Sequence, residues 1–368
     1  MRVIMTGGGT GGHIYPAIAI ADKIKRKHPE AEILFVGTLR GHEKDLVPQN
    51  GYPVRFVSAR GFNRKNIFAN FETIKDHILG EKQAGAILDE FRPDLVIGTG
   101  GYVCGPVIKA AYKRKLPCYL HEQNAFAGLA NRVLAKYAQK VFLAYPEAAR
   151  YFRDKRKLVV TGNPLRKDFF LSGLGDARAQ LGLNASDFYI LCFGGSLGAG
   201  AINHTMARAA KELLGIPHVK ICLVSGKNHY ESVLGEFQGL GILDSGRCTI
   251  LPYVDDMHLY LNAADLVISR AGALTVAEIT ACGKASILIP SPNVTGNHQY
   301  FNAKAVADLG GAVLIEEKDL EGPEFLGVLL RLIGNREAVN NMARAAAAIG
   351  RTDAADLIYD HLDLKEKG

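Results

Sequence analysis

No stretch of this 368-residue chain is apolar for long enough to span a bilayer, and Met1-Arg2 leads straight into a strand pattern without an apolar leader. A protein with this sequence that works at a membrane is therefore expected to lie on its surface. Tryptophan is absent, and the six cysteines at 104, 118, 192, 222, 248 and 282 form no Cys-x-x-Cys pair. That spacing offers neither a zinc site nor a disulfide framework. Cys118, Cys192 and Cys222 fall inside apolar strand patterns, where cysteine behaves as a small buried hydrophobe and a reducing compartment suits it. Low-complexity tracts and long polar tails are also missing. What remains is 48% hydrophobic and 22% charged, an ordinary globular composition on a chain long enough for two domains.

Charge is unevenly placed. Residues 1–163 carry 26 Lys+Arg against 14 Asp+Glu, whereas residues 164–368 carry 18 against 23, so a basic half is joined to an acidic one. The basic half is expected to meet something anionic: nucleic acid, an anionic leaflet or a pyrophosphate-bearing lipid. No aromatic interleaving and no recognisable nucleic-acid module accompany the charge, which sets nucleic acid aside.

Short apolar runs followed by glycine or polar residues, then by helical periodicity, recur along the chain. The first half reads as strands at Val3–Met5, Ile33–Val36, Val54–Val57, Asp94–Ile97, Cys118–Leu120, Val141–Leu143 and Leu158–Val160. The second half repeats the pattern at Tyr189–Phe193, Val219–Val224, Cys248–Leu251, Leu266–Ile268, Ala285–Ile289 and Ala312–Ile315. This alternation predicts an α/β fold of two doubly wound parallel-sheet (Rossmann-like) domains facing a cleft. Each half opens with a strand, a glycine loop (Gly7–Gly12, Gly194–Gly200) and a helix, the first predicted from Pro16 to Lys27 with proline in its first turn. The turn Thr161–Arg166 breaks the pattern and places the linker at about Gly162–Lys167, giving domains 1–163 and 164–349. A last helix within 350–368 is expected to pack back on the first domain.

Gly7-x-Gly9-x-x-Gly12 matches the dinucleotide fingerprint in form, which keeps a nicotinamide-dependent dehydrogenase among the alternatives. The second strand, however, ends in Gly37-Thr38, without the acid that would hold a ribose. In the second half, Thr275-Val-Ala-Glu278 has the spacing of a capping box and predicts a helix start after the strand Leu266–Ile268. Glu278 then reads in two ways, as a capping glutamate or as the acceptor for a ribose diol, beside helix N-termini that attract a diphosphate.

Several segments resemble one family of glycosyltransferases. They are Gly-Gly-Thr-Gly-Gly-His at 8–13, Thr-Gly-Gly-Tyr at 99–102, His-Glu-Gln-Asn at 121–124 and Gly-Asn-Pro-Leu-Arg at 162–166 in the first half. In the second half they are Gly-Gly-Ser-Leu-Gly-Ala at 194–199, Tyr-Val-Asp-Asp-Met at 253–257, Gly-Ala-Leu-Thr-Val-Ala-Glu at 272–278 and Asn-His-Gln at 297–299. The family is the N-acetylglucosaminyltransferases, family 28, that complete the lipid-linked disaccharide precursor of peptidoglycan. The resemblance implies the two-domain GT-B fold and transfer of N-acetylglucosamine, with inversion, from UDP-N-acetylglucosamine to an undecaprenyl-pyrophosphoryl-linked acceptor. It implies no metal and no cofactor, and a peripheral place on the cytoplasmic side of the cell membrane. The rivals in the same fold are a UDP-sugar 2-epimerase and a lipid glycosyltransferase with another acceptor.

The resemblance also distributes roles. Ser196, Arg166 and the N–H groups of the second glycine loop would stabilise charge on the leaving diphosphate. The backbone at Val254 would read the uracil edge and Glu278 the ribose. Ala273, Leu274, Thr275 and Gln299, with His298 beside it, would meet phosphate and sugar hydroxyls; many members carry Gln-Gln where this chain has His298-Gln299. Thr10, Gly11, Gly12 and Asn124 would approach the sugar of donor or acceptor. An inverting transfer needs a base. His13, at a helix N-terminus that disfavours imidazolium, is the candidate, with Glu122 as the alternative. Finally, Phe62, Ile67, Phe68, Phe71, Ile74 and Ile78, with Arg60, Arg64, Lys65 and Lys75 nearby, form either an interfacial stripe for anionic lipid or a helix face packed on the sheet.

Overall fold

The computed structural model describes residues 1–61, 70–166, 174–195 and 198–364. The chain divides into two compact units, Met1–Arg166 with Thr352–Gly368, and Lys167–Arg351.

The first unit holds seven parallel strands: β1 Arg2–Thr6, β2 Glu32–Gly37, β3 Val54–Phe56, β4 Leu95–Gly98, β5 Cys118–Glu122, β6 Lys140–Leu143 and β7 Leu158–Val160. Their order is β3-β2-β1-β4-β5-β6-β7. Its helices are α1 Gly11–Lys27, α2 Glu43–Gln49, α3 Asn70–Phe91, α4 Cys104–Lys113 and α5 Leu129–Leu134. β4 and β5 are buried at every residue, as strands covered on both faces must be. Ile14, Ala17 and Ile18 of α1 pack on one face with Val3, Met5 and Ile97, and Val107 and Ile108 of α4 pack on the other with Ile4 and Val96. The chain therefore reverses its winding between β1 and β4, and the loops that follow these two strands part there to leave a crevice.

The second unit holds β8 Phe188–Phe193, β9 Val219–Val224, β10 Cys248–Leu251, β11 Leu266–Ser269, β12 Ala285–Leu288 and β13 Val313–Leu314 in the order β10-β9-β8-β11-β12-β13, again parallel. Its helices are α6 Leu174–Gln180, α7 Gly200–Leu214, α8 Tyr230–Gly239, α9 Met257–Ala263, α10 Ala273–Ala281, α11 His298–Ala307, α12 Pro323–Ile333 and α13 Arg336–Ile349. The reversal here lies between β8 and β11, so the second glycine loop and the start of α10 flank the corresponding crevice.

The last helix, α14 Ala354–Asp360, packs on α1. Ile358 and Leu362 join the core of that face, Lys23 pairs with Asp356, and the Tyr119 hydroxyl accepts from Asp363 N at 2.9 Å.

Two helix starts differ from the sequence reading. α1 begins at Gly11, not Pro16: the Thr10 carbonyl accepts from His13 N and Ile14 N at 3.1 and 3.3 Å. Pro16 thus sits in the second turn, where its missing N–H leaves the Gly12 carbonyl without a helical donor. α10 begins at Ala273 with Gly272 as its extended N-cap and no side-chain cap bond. Thr275 is therefore the third helical residue and Glu278 the sixth, and the two form no capping box. Asp256 stands at the N-cap of α9, also without a side-chain cap bond.

Of the apolar stripe, residues 62, 67 and 68 lie outside the described residues, as do 64 and 65. Phe71, Ile74 and Ile78 on α3 are 65%, 50% and 67% exposed rather than packed on the sheet. Lys75 stands 4.6 Å over the Phe71 ring, and Arg60 pairs with Asp76. Among the described residues no helix is long and apolar enough to cross a membrane.

Candidate active site

In the first unit the loop after β1 is held from below by a residue that sequence reasoning missed. Glu43, 1% exposed at the start of α2, accepts from Thr38 N and Thr38 Oγ1 with one carboxylate oxygen, and from Gly9 N with the other, all at 3.0 Å. A Cβ at residue 8, 37 or 41 would collide with this side chain, so those glycines make its berth. The acid near the end of β2 is thus turned under the glycine loop, not outward to a ribose, and it already occupies a loop N–H that a dinucleotide pyrophosphate would use. The dehydrogenase reading loses its second requirement here.

His13 is the third residue of α1 and half-buried. Its Nδ1 lies 3.0 Å from the Thr99 carbonyl and 3.0 Å from Gln123 Oε1. Gln123 Nε2 in turn lies 2.9 Å from His121 Nδ1 and 3.1 Å from the His121 carbonyl, and His121 Nε2 lies 3.0 Å from the Gly162 carbonyl. His121 is fully buried, and burial pushes its pKa down to about 4, so the ring is neutral at physiological pH. Cys104 beside the crevice is pushed up to about 12 by burial and stays a thiol.

Glu122 is likewise buried. Oε1 accepts from Asn124 N (3.0 Å) and Asn124 Nδ2 (3.2 Å), while Oε2 accepts from Gly128 N and Asn131 Nδ2 (both 2.9 Å). Four donors on one carboxylate make it the organiser of the 122–131 loop. Thr10 and Gly12 are exposed, and Gly11 and Asn124 half-buried, around His13. Arg166 stacks 5.3 Å over the Tyr15 ring on α1, while Asp168, the carboxylate nearest it in sequence, lies outside the described residues.

In the second unit the sequence-predicted residues gather along the carboxyl edge of the sheet. Gly194, Gly195 and Gly198 follow β8. A Cβ on Gly198, whose φ is 77°, would collide with the Ser225 carbonyl. Ser196, between them, lies outside the described residues. Val254, half-buried, follows β10; Ala273, Leu274, Thr275 and Glu278 stand in the first two turns of α10 after β11; Gln299 and His298 open α11 after β12. Gln299 Oε1 accepts from Ser291 N at 2.9 Å and pins the loop after β12. His298 Nδ1 lies 2.9 Å from the Thr295 carbonyl. From β10 to β12 this edge crosses four strand spacings, roughly 19 Å, which suits a nucleotide diphosphate sugar. A 590 Å³ cavity lined by Arg208, Pro290, Asn297, Tyr300 and Glu317 adjoins it.

Asn131 and Gln123 also went unassigned in the sequence reading. Asn131 carries no local motif, and Gln123 sits inside His-Glu-Gln-Asn without a spacing that singles it out.

Two doubly wound units, one carrying a histidine at a glycine loop and the other a nucleotide-sized edge ending in helix N-termini, fit the class of GT-B nucleotide-sugar enzymes. Residues 3–143 match the Glycosyltransferase family 28 N-terminal domain, and residues 189–358 match the Glycosyltransferase family 28 C-terminal domain. The chain belongs to glycosyltransferase family 28. It is 43% identical over 98% of its length, and 98% of theirs, to a protein of Alkaliphilus oremlandii. It is 41% identical to one of Clostridioides difficile, over 98% of this chain and 88% of that one. Both are named UDP-N-acetylglucosamine--N-acetylmuramyl-(pentapeptide) pyrophosphoryl-undecaprenol N-acetylglucosamine transferase. Among solved structures, Acinetobacter baumannii MurG superposes with a TM-score of 0.79 at 29% identity over 98% of both chains. A UDP-GlcNAc 2-epimerase of Neisseria meningitidis reaches 0.68 at 16% identity, over 98% of this chain and 99% of that one; the likeness is of fold alone.

Proposed function

We propose that the chain transfers N-acetylglucosamine from UDP-N-acetylglucosamine to the 4-hydroxyl of N-acetylmuramoyl-pentapeptide on undecaprenyl pyrophosphate, with inversion at the anomeric carbon. The observation that carries this reading is identity of 41–43% along nearly the whole chain to transferases of that name, against fold-level likeness to epimerases.

In this reading the second unit takes the donor. Glu278, in the second turn of α10, accepts from the ribose diol. The N–H groups of the second glycine loop, Ser196 and the α7 N-terminus stabilise the negative charge that develops on the β-phosphate. Val254 reads the base, and Ala273, Leu274, Thr275 and Gln299 border phosphate and sugar. The acceptor hydroxyl oxygen forms the new bond to the anomeric carbon, the bond from that carbon to the β-phosphate oxygen breaks, and UDP leaves with the electron pair.

The first unit presents the acceptor. His13 takes the proton of the attacking hydroxyl, a role the four donors on Glu122 leave that carboxylate poorly placed to share. Thr10, Gly11, Gly12 and Asn124 border the acceptor sugar, and Arg166, stacked on Tyr15, supplies positive charge for the leaving diphosphate. The exposed Phe71, Ile74 and Ile78 beside basic residues seat this unit on the cytoplasmic face of an anionic membrane.

The test is incubation with radiolabelled UDP-N-acetylglucosamine and the lipid-linked monosaccharide. Label is expected in the lipid phase; label appearing only as free sugar with UDP makes the protein an epimerase-like enzyme.

A further inference from the structure

His13 can serve as a base only through a ring nitrogen that carries a lone pair, and the hydrogen bonds behind it decide which nitrogen that is. The chain of contacts runs from the Thr99 carbonyl through His13, Gln123 and His121 to the Gly162 carbonyl. Both ends are backbone carbonyls, which only accept. Read from the Thr99 end, His13 Nδ1 must hold the proton. Read from the Gly162 end, His121 Nε2 holds its proton, so His121 Nδ1 accepts. The Gln123 atom facing both His121 Nδ1 and the His121 carbonyl must then be the NH2 group. Its Oε1 therefore faces His13 Nδ1, which again must donate. The two directions agree, and neither depends on an arbitrary choice of amide orientation.

We propose that Gln123 is a positioning residue that, together with the Thr99 carbonyl, sets the tautomer of His13: the two acceptors hold the proton on Nδ1 and leave the Nε2 lone pair for the acceptor hydroxyl. This rests on His13 being the base. An amide suits the task better than a carboxylate. A carboxylate behind the ring would hold the same tautomer but raise the pH below which Nε2 is protonated. His121, anchored on Gly162 and backed by Asn163 Nδ2 donating to the Gln123 carbonyl at 3.1 Å, keeps the amide from turning over.

The other titratable groups on the elements around His13 are Glu122 on β5, Cys104 on α4, Glu43 under the glycine loop, Tyr102 after β4, and Tyr15 on α1 with Arg166 over its ring. Glu122 turns its oxygens to donors of the 122–131 loop and Glu43 turns its own to Thr38 and to Gly9 N, so Gln123 is the side-chain partner that discriminates the two ring nitrogens.

The experiment is long-range 15N–1H correlation on the histidine-labelled protein, with His13 assigned by its loss in His13→Asn, together with kcat/KM against pH for Gln123→Glu and Gln123→Met. Wild type is expected to show the Nδ1–H tautomer. Gln123→Glu is expected to move the acidic limb of kcat/KM upward by about one pH unit or more. Gln123→Met is expected to lower kcat about tenfold with the donor KM unchanged. A wild-type spectrum showing Nε2–H, or a Gln123→Glu limb that stays in place, overturns the proposal even where His13→Asn is inactive. Full turnover by His13→Asn instead removes the base reading on which it stands.

Discussion

Replacing Glu43 by glutamine changes one oxygen to an NH2 group in a berth closed by three glycines. Two carboxylate oxygens now accept three hydrogen bonds, from Thr38 N, Thr38 Oγ1 and Gly9 N. The amide oxygen can keep the Thr38 pair, but the NH2 then faces the Gly9 N–H, donor against donor. Leaving that N–H without an acceptor costs about 1–3 kcal/mol, and losing charge assistance on the other two bonds adds about 1 kcal/mol. The first unit should therefore lose about 2–4 kcal/mol, a fall of roughly 5–15 °C in its melting temperature. Calorimetry with and without UDP separates the two units, since UDP raises the transition of the unit that binds it. The transition that UDP does not raise should be the one that falls in Glu43→Gln. Because the glycine loop leads into His13, kcat should fall too. A first-unit transition within a degree of wild type would refute the reasoning that this carboxylate holds the loop.

Glu278→Gln should weaken UDP-N-acetylglucosamine roughly 10- to 100-fold, by loss of a charged acceptor for the ribose diol, as titration calorimetry would show; unchanged affinity places the ribose elsewhere. The depressed pKa of His121 predicts a pH effect on stability. Between about 6.5, the unfolded value, and about 4, the folded one, the unfolded chain binds more protons, so stability falls as pH falls through that window and levels below it. The full loss is on the order of 3 kcal/mol, and the difference between wild type and His121→Asn across the window in urea titrations isolates it; identical pH slopes contradict it. Phe71→Ser with Ile78→Ser should cut binding to anionic vesicles at least about tenfold while leaving the melting temperature unchanged, since both side chains are mostly exposed; undiminished binding moves the membrane contact off α3.

The strands were legible because the central ones are buried along their whole length, while the half-exposed edge strands β3, β7 and β13 still read as short apolar runs; all thirteen among the described residues lie within two residues of their expected places. The helix starts were less so. Gly11 and Gly12 carry no side chain to advertise a helical backbone, and Pro16 suggested a start one turn too late. Thr275 and Glu278 share one face of α10 at a spacing that a helix interior produces as readily as a capping box does. The placement of candidate residues was legible where a motif is contiguous: His13 stands at the start of α1 after β1 and Gln299 at the start of α11 after β12. It was not legible where a side chain acts across the fold: nothing local tells that Glu43 will reach Gly9, 34 residues away, or that Gln123 will reach His13, 110 residues away.

The division of labour between the two units is tested most directly by a structure with UDP bound. The account predicts uridine diphosphate on the second unit, its ribose against Glu278 and its diphosphate at the glycine loop after β8. Diphosphate bound instead at the first glycine loop, displacing Glu43 from Gly9, would contradict it.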